Sequence, residues 1–144
     1  MQKRWLLGLG LVLGLALVVP LSSPLAQVTK GKSRPAPTRH LMKALMFPTC
    51  SALGDTLKAG PADDKAWDMA LAQASGLNEL SFIVMDDGRC PDAVWAGAAK
   101  QLREGSASVV AAIEKKDVEA ARAAFKTLTA ACATCHNAHR AKKA

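Results

Sequence analysis

Apolar side chains recur every three or four residues in four stretches of this chain, and short polar or Gly-Pro breaks separate the stretches. This spacing is typical of amphipathic helices that each bury one face. The stretches run from about Thr38 to Ala59, from Asp63 or Asp64 to Val84, from near Pro91 to Lys116, and from Asp117 onward. The positions expected in the core are Leu41, Met42, Leu45, Met46, Leu53, Leu57, Trp67, Ala70, Leu71, Ala74, Leu77, Val84, Trp95, Ala98, Leu102, Val109, Ile113, Val118, Ala121, Phe125 and Leu128.

The residues at the breaks agree with four separate helices. Pro48 lies inside the first stretch and predicts a kink there, and Gly60-Pro61 is expected to end that helix. Aspartates precede the second and fourth helices and suit N-caps, while Pro91 suits the first position of the third. No stretch alternates with period two. We therefore expect an all-α fold, an antiparallel up-down-up-down four-helix bundle formed by residues 38–144.

The N-terminus has the order of a secretory signal: Lys3 and Arg4 first, then uncharged apolar residues 5–21, then small residues. We expect residues 1–26 to be a signal peptide removed on export, and residues 27–37 to be a basic linker. Because the apolar run is long for a signal core, an uncleaved membrane anchor is the alternative. In both cases the domain is expected outside the cytoplasm, in the periplasm, where nucleic acid is not a partner.

The charge balance suggests a class of partner. Without residues 1–26 the chain has 17 basic and 12 acidic residues, a balance of +5. Much of the excess lies in two tails, at Lys30, Lys32, Arg34, Arg39, Arg140, Lys142 and Lys143. Solvation of the tails is the ordinary explanation, and steering toward an acidic partner protein or an anionic membrane is the functional one. The sequence is also compatible with a homodimer.

Cys132-Ala133-Thr134-Cys135-His136 is a C-x-x-C-H motif, the attachment signature of c-type haem. Two thiols one helical turn apart can each add to one vinyl group of a porphyrin, and the adjacent imidazole can ligate the iron from the same side. Positions 132, 135 and 136 continue the apolar stripe of the fourth helix, so they are expected to face the core. The motif predicts one haem c per chain, bonded to Cys132 and Cys135, with His136 on the iron.

A thiol–disulfide redox pair and half of a zinc site are the other uses of such a motif. A thioredoxin-like pair is expected beside a βαβ pattern, which this chain lacks. A zinc site needs further ligands at suitable spacing, and Cys50 and Cys90 are single, distant cysteines. Export also favours haem, because c-type haem is attached outside the cytoplasm.

The position of the motif, at the end of a four-helix chain, resembles that in the class II c-type cytochromes, the cytochrome c′ family. The resemblance covers residues 38–140 and implies a haem in the bundle. Arg140, four residues after His136, matches a basic residue common in the family; it either complements the helix dipole or pairs with a haem propionate. Segment 91–95 resembles the start of the family's third helix, which implies that Trp95 packs against the haem.

Segment 39–44 resembles the family's first-helix segment, in which a basic residue precedes the residue at the sixth iron site. The family spacing falls on Lys43, and a one-residue shift makes Met42 the match. Low-spin members place a Met sulfur there and carry electrons, whereas high-spin members leave the site open and bind small gases. Met42 is therefore the expected sixth ligand. Met46, Lys43 and His40 are alternative donors, and Met42 as ordinary core filler is the plainest alternative.

We therefore expect an exported one-electron carrier and not an enzyme. The alternative is a cytochrome c′-like protein that binds NO or CO at five-coordinate iron. A peroxidase is disfavoured because His40 has no visible acid–base partner. In an exported protein the spare Cys50 and Cys90 predict a disulfide, with two free thiols as the alternative, and His139 is expected to face solvent.

Overall fold

The computed structural model describes residues 30–140, and this part of the chain is all-α. Its elements are α1 (Thr38–Leu41), a π-helical segment (Met42–Met46), α2 (Phe47–Ala59), α3 (Asp64–Ile83), α4 (Ala93–Glu114) and α5 (Val118–His139). Because α1, the π-helical segment and α2 follow one another without a break, there are four helical regions. The prediction of an all-α fold with four helices is confirmed for these residues. The signal-peptide prediction for residues 1–26 lies outside the described residues.

The first helical region changes its hydrogen bonding just before Pro48. The backbone N–H of Phe47 donates to the carbonyl of Met42, five residues back, which is the π-helical pattern. Pro48 has no N–H, so it cannot donate to the carbonyl of Ala44 as an α-helix would require. The sequence predicts a kink at Pro48, and the irregularity that the structure has there is this wider turn.

Aspartate side chains cap the other three helices at their N-termini. The bonds run from the Ala66 amide to Asp63 at 2.7 Å, from the Trp95 amide to Asp92 at 2.9 Å and from the Ala120 amide to Asp117 at 2.9 Å. The expectation that Pro91 opens the third helix is wrong. Asp92 has extended backbone angles and caps the helix, so α4 begins only at Ala93.

The core contains most of the predicted stripes. Leu53, Leu57, Ala70, Ala74, Leu77, Trp95, Ala98, Leu102, Val109, Ile113, Ala121 and Leu128 are buried. Six further predicted core residues are partly buried, namely Leu41, Met42, Trp67, Leu71, Val118 and Phe125. Leu45 in the first region is 45% exposed, while its neighbour Met46 is only 7% exposed. The π-helical turn rotates successive side chains by less than an α-helical turn, so the buried face moves from Leu45 to Met46.

Residues 30–37, expected to be a linker, lie against the loop between α3 and α4. The Asp87 carboxylate accepts bonds from the Ser33 amide and hydroxyl, both at 2.8 Å, and from the Arg34 amide at 2.9 Å. The buried Arg89 side chain donates to the carbonyl of Ala36 at 2.8 Å. These bonds fix the segment that leads into α1. Among the described residues, no helix has both the length and the apolar content required to cross a membrane.

Candidate functional site

An apolar cavity lies between the π-helical segment, the end of α3, the first half of α4 and the last part of α5. Its empty space, including the part open to solvent, is about 430 Å³. The lining side chains are Met42, Met46, Val84, Trp95, Ala98, Ala99, Leu102, Ala131, Cys132, Cys135 and His136. All three chemical groups of the C-x-x-C-H motif therefore border one apolar space.

Helical geometry explains why the motif residues meet. Side chains three and four residues apart lie on one face of an α-helix, and α5 continues as a helix through the motif to His139. The buried Leu128 and Ala131 belong to the same face as Cys132 and Cys135. Both thiols and the imidazole thus border the cavity from one wall.

His136 is half-buried in that wall. Burial, followed by the charge of nearby Arg140, holds the pKa of His136 below its ordinary value of 6.5. Both effects disfavour the imidazolium form. At neutral pH the ring is therefore in its neutral form, which is the one that can ligate a metal.

Two methionines reach the cavity from the π-helical segment. Met46 is buried, and Met42 is half-buried and also borders a shallow surface depression with Arg39, Lys43, Phe47, His136 and Arg140. His40 and Lys43 have exposed side chains and do not line the cavity. Of the four donors considered for the sixth iron site, only Met42 and Met46 lie in the cavity wall.

Trp95 lines the cavity on the α4 side, and His139 lies next to Trp95. Trp95 is 2% exposed, and its Nε1 donates to the carbonyl of Val84 at 2.8 Å. The expectation that His139 faces solvent is wrong, because it is buried and packs edge-on against Trp95 with ring centroids 5.3 Å apart. Position 139 follows Cys135 by four residues, which turns it to the same inner face. Its Nε2 lies 3.4 Å from an Asp92 carboxylate oxygen without hydrogen-bond geometry.

Arg140 is exposed just beyond the C-terminal end of α5, where its backbone N–H donates to the carbonyl of His136 at 3.0 Å. Its side chain borders the surface depression and does not line the cavity. The structure therefore places Arg140 at the rim of the candidate site, beside His136.

The four cysteines do not form the disulfide that the sequence predicts. Cys50, Cys90, Cys132 and Cys135 are all free thiols, so the expected Cys50–Cys90 disulfide is wrong. Cys50 on α2 is a neighbour of Cys132 on α5, and the Cys132 Sγ donates to the carbonyl of Leu128 at 3.8 Å. Cys90 lies in the loop before α4, where its Sγ donates to the carbonyl of Asp92 at 3.4 Å. Cys50 faces α5 across the interior, and sequence spacing carries no signal for that contact.

The interaction between Cys50 and Cys132 shifts the pKa values of the two thiols in opposite directions. The hydrogen bond from Cys50 lowers the pKa of Cys132 to about 7, against the opposing effect of its burial. The pKa of Cys50 is strongly raised, first by this hydrogen bond and then by burial. Burial, with the charges of Cys132 and Asp92, raises the pKa of Cys135 to about 11. Of these three thiols, Cys132 thus ionises most readily.

The donor set fits a covalently held haem. Two thiols and an imidazole border an apolar space, which suits a flat apolar ring with iron at its centre. Among the described residues, no three or more His, Cys, Asp or Glu side chains cluster as a metal site. Comparison of the chain with protein-family models, curated proteins and solved structures finds no match.

Proposed function

We propose that this chain is an exported c-type cytochrome that carries one haem c and transfers single electrons. The observation that carries the proposal is the cavity, where Cys132, Cys135 and His136 lie on one wall and Met42 lies on another. A C-x-x-C-H sequence that arose by chance is not expected to border an apolar space together with a thioether donor.

The proposal includes an antiparallel up-down-up-down arrangement of the four helical regions. Contacts at both ends of α3 and α4 support it. Lys116, after α4, binds Asp64 at the start of α3 at 2.6 Å, and Trp95 at the start of α4 binds Val84 after α3. On the other side, Arg122 near the start of α5 donates to the carbonyl of Leu57 near the end of α2 at 2.8 Å. This arrangement brings the start of the first region beside the end of α5.

The chain's own residues would hold the haem at three points. The Cys132 and Cys135 Sγ atoms would each form a thioether with one vinyl group, and His136 would ligate the iron with its neutral imidazole. Bound haem would supply a one-electron couple at the iron. Trp95, with its indole N–H already bonded to Val84, would present its ring to the haem and exclude water from the cavity.

Met42 is the proposed sixth ligand. A thioether is soft and neutral, so it suits Fe(II) and needs no deprotonation. An exposed Lys43 would have to lose a proton and enter the apolar cavity, and both changes cost free energy near neutral pH. A Met/His pair would raise the reduction potential, which suits a carrier that accepts electrons.

The basic residues at the rim of the site indicate what kind of partner protein the proposed carrier would bind. Arg39, Lys43 and Arg140 border the depression that Met42 and His136 also line. A positive field at this edge would steer an acidic redox protein toward it, with an effect that weakens as salt is added. We propose the periplasm, or its membrane surface, as the compartment of this exchange.

A gas-binding function is the second candidate. The observation that favours it is the incomplete burial of Met42, which borders both the cavity and the open depression. If Met42 rests at that outer position, the sixth site is left to a small ligand such as NO or CO, and the iron is five-coordinate.

Mass spectrometry combined with an optical spectrum tests the proposal. In cells that can attach c-type haem, the full chain should retain the haem mass after denaturation, because thioether bonds survive unfolding. Cys132→Ser/Cys135→Ser should lose it, while Cys90→Ser should keep it. Haem that extracts from the wild type into acidified solvent would contradict the proposal. The spectrum then decides between the two functions: a low-spin haem supports the electron carrier, and a high-spin, five-coordinate haem supports the gas-binding protein.

A further inference from the structure

His139 is a buried side chain in the last turn of α5 that the proposed haem attachment does not use. Only 7% of the residue is exposed, although it ends the final helix and its neighbour Arg140 is exposed. A buried polar ring costs free energy unless its surroundings compensate for the lost water. The contacts of the imidazole therefore indicate its role.

The main contact of this imidazole is a ring contact with the first turn of α4. The ring centroids of His139 and Trp95 lie 5.3 Å apart, and the two ring planes are inclined by 68°. Aromatic pairs favour such edge-to-face packing at centroid separations of about 4.5–7 Å. His139 thus packs in a favourable geometry against a side chain that lines the proposed haem cavity.

Trp95 has one hydrogen bond that fixes its indole ring. The Nε1–H donates to the carbonyl of Val84 at 2.8 Å, and a bond at one edge leaves the ring free to tilt about that edge. The next cavity-lining side chains of α4, Ala98 and Ala99, are short. A second contact from another helix removes the freedom to tilt, and His139 on α5 supplies it.

We propose that His139 is a positioning residue, whose ring holds the Trp95 indole in the cavity wall and thereby keeps water away from the haem. The step from the indole to the haem rests on the function proposed above. The ring contact does not depend on that function, because it joins two side chains of the chain itself.

The imidazole ring carries this role, and a charge pair with Asp92 does not. The Nε2 atom of His139 lies 3.4 Å from an Asp92 carboxylate oxygen but makes no hydrogen bond. The carboxylate accepts the backbone N–H of Trp95 at 2.9 Å as the N-cap of α4. Its side chain is 41% exposed, so solvent and salt screen its charge. Asp92 therefore fixes the start of the helix, while His139 fixes the indole.

The ring contact is made from the part of α5 that carries the haem-attachment motif. His139 follows His136 by three residues and Cys135 by four, so these positions lie close together along the helix. A contact between His139 and Trp95 therefore also sets the distance between the motif and the α4 wall of the cavity.

Loss of the ring would change the surroundings of the haem in a defined direction. A tilted Trp95 indole would admit water to the cavity, and solvent exposure is one of the factors that set the reduction potential of a haem. Water stabilises the more highly charged ferric iron more than it stabilises the ferrous iron. Removal of the His139 ring should therefore favour the oxidised haem.

Hydrogen exchange of the Trp95 indole N–H, followed by NMR on the reduced haem-loaded protein, tests the ring contact. This N–H is held in its bond to Val84, so its exchange rate reports how firmly the indole is fixed. We expect His139→Ala to speed the exchange at least tenfold. The backbone N–H of Leu53, in the core on α2, should keep its rate, and Trp95→Phe identifies the indole signal.

Three further variants separate the ring from other causes. His139→Phe keeps a ring, Asp92→Asn keeps a helix cap without the charge, and Asn137→Ala changes an exposed residue of the same turn. All three should retain slow exchange at Trp95. Unchanged exchange in His139→Ala would overturn the inference. So would equal acceleration in His139→Phe or Asp92→Asn, or an acceleration at Leu53 as large as that at Trp95.

The reduction potential separates this inference from the proposed function. In equilibrium with a one-electron redox dye, His139→Ala should favour the oxidised haem at least tenfold relative to wild type, a fall of about 59 mV, and His139→Phe should restore the wild-type value. A wild-type protein without covalent haem would contradict the proposed function, while exchange measured on the protein as isolated would still decide the ring contact. Faster exchange in His139→Ala with an unchanged potential would overturn the step from the indole to the haem.

Discussion

Met42 and Met46 present the main choice at the scale of single residues. Both reach the cavity from the π-helical segment, and Met46 is the more deeply buried. Deep packing suits a core residue, because a side chain without free volume cannot reposition to meet a ligand. Met42 is half-buried and can extend inward, which agrees with the ligand role proposed for it.

Met42→Ala should remove the sixth ligand from the haem-loaded protein. We expect complete loss of the sulfur-to-iron charge-transfer absorption and a change from low to high spin, measured by optical and magnetic spectroscopy. Met69→Ala is the matched control, since Met69 lies on α3 with 52% of its side chain exposed, and it should leave the spectra unchanged. An absorption band that persists in Met42→Ala and vanishes in Met46→Ala would instead identify Met46.

At the scale of elements, the packing of α4 on α5 depends on the absence of a side chain at Gly105. A Cβ there would lie 3.0 Å from the Leu128 backbone, whereas a Cβ at Gly97 of the same helix would meet nothing within 4 Å. Since α5 carries the motif, this close approach also determines how near the motif lies to the α4 wall of the cavity.

The two glycines allow a matched test by unfolding in urea. Gly105→Ala should lower the free energy of unfolding, because overpacking costs about 1–3 kcal/mol, more than the ~0.5–1 kcal/mol that alanine gains in a helix. Gly97→Ala adds the helix preference of alanine without a steric clash, so it should raise the free energy of unfolding by about 0.5–1 kcal/mol. Equal effects of the two substitutions would contradict the close packing of α4 on α5.

At the scale of the whole molecule, Asp87 ties the segment before α1 to the loop between α3 and α4. Desolvation opposes ionisation of Asp87, but the hydrogen bonds from Arg34 and Ser33 outweigh it and lower its pKa to about 2 from the ordinary 3.8. A carboxylate with a lowered pKa stabilises the folded state fully above its unfolded value. That stability is lost as the pH falls from about 4 toward 2.

Urea unfolding at a series of pH values tests this tie. Asp87→Asn should unfold more easily than wild type at pH 7, and it should lack the wild-type component of acid destabilisation between about pH 4 and pH 2. Asp68→Asn removes an exposed carboxylate from α3 and should keep the wild-type pH profile. A profile for Asp87→Asn parallel to that of wild type would show that the carboxylate does not stabilise the fold through its charge.

Local patterns in the sequence were sufficient to predict the four helices and the helix face on which the motif lies. Periodicity depends on which side of a helix each residue occupies, and caps such as Asp117 act within one turn, so both can be read from neighbouring residues. The phase of Leu128, Cys132 and Cys135 along one helix likewise placed the motif on the inner face. Leu45 departed from the pattern because a π-helical turn changes that phase, although Pro48 marked its position.

Only the tertiary structure decided which side chains from different helices meet. Cys50 is a neighbour of Cys132 and forms no disulfide with Cys90, and His139 packs against Trp95. These contacts depend on the separation and register of packed helices, which involve residues tens of positions apart and leave no local pattern. The sequence by itself therefore determined the all-α class and the side of the fourth helix on which the motif lies. The shape of the cavity and the neighbours of Cys132 depended on how the helices pack.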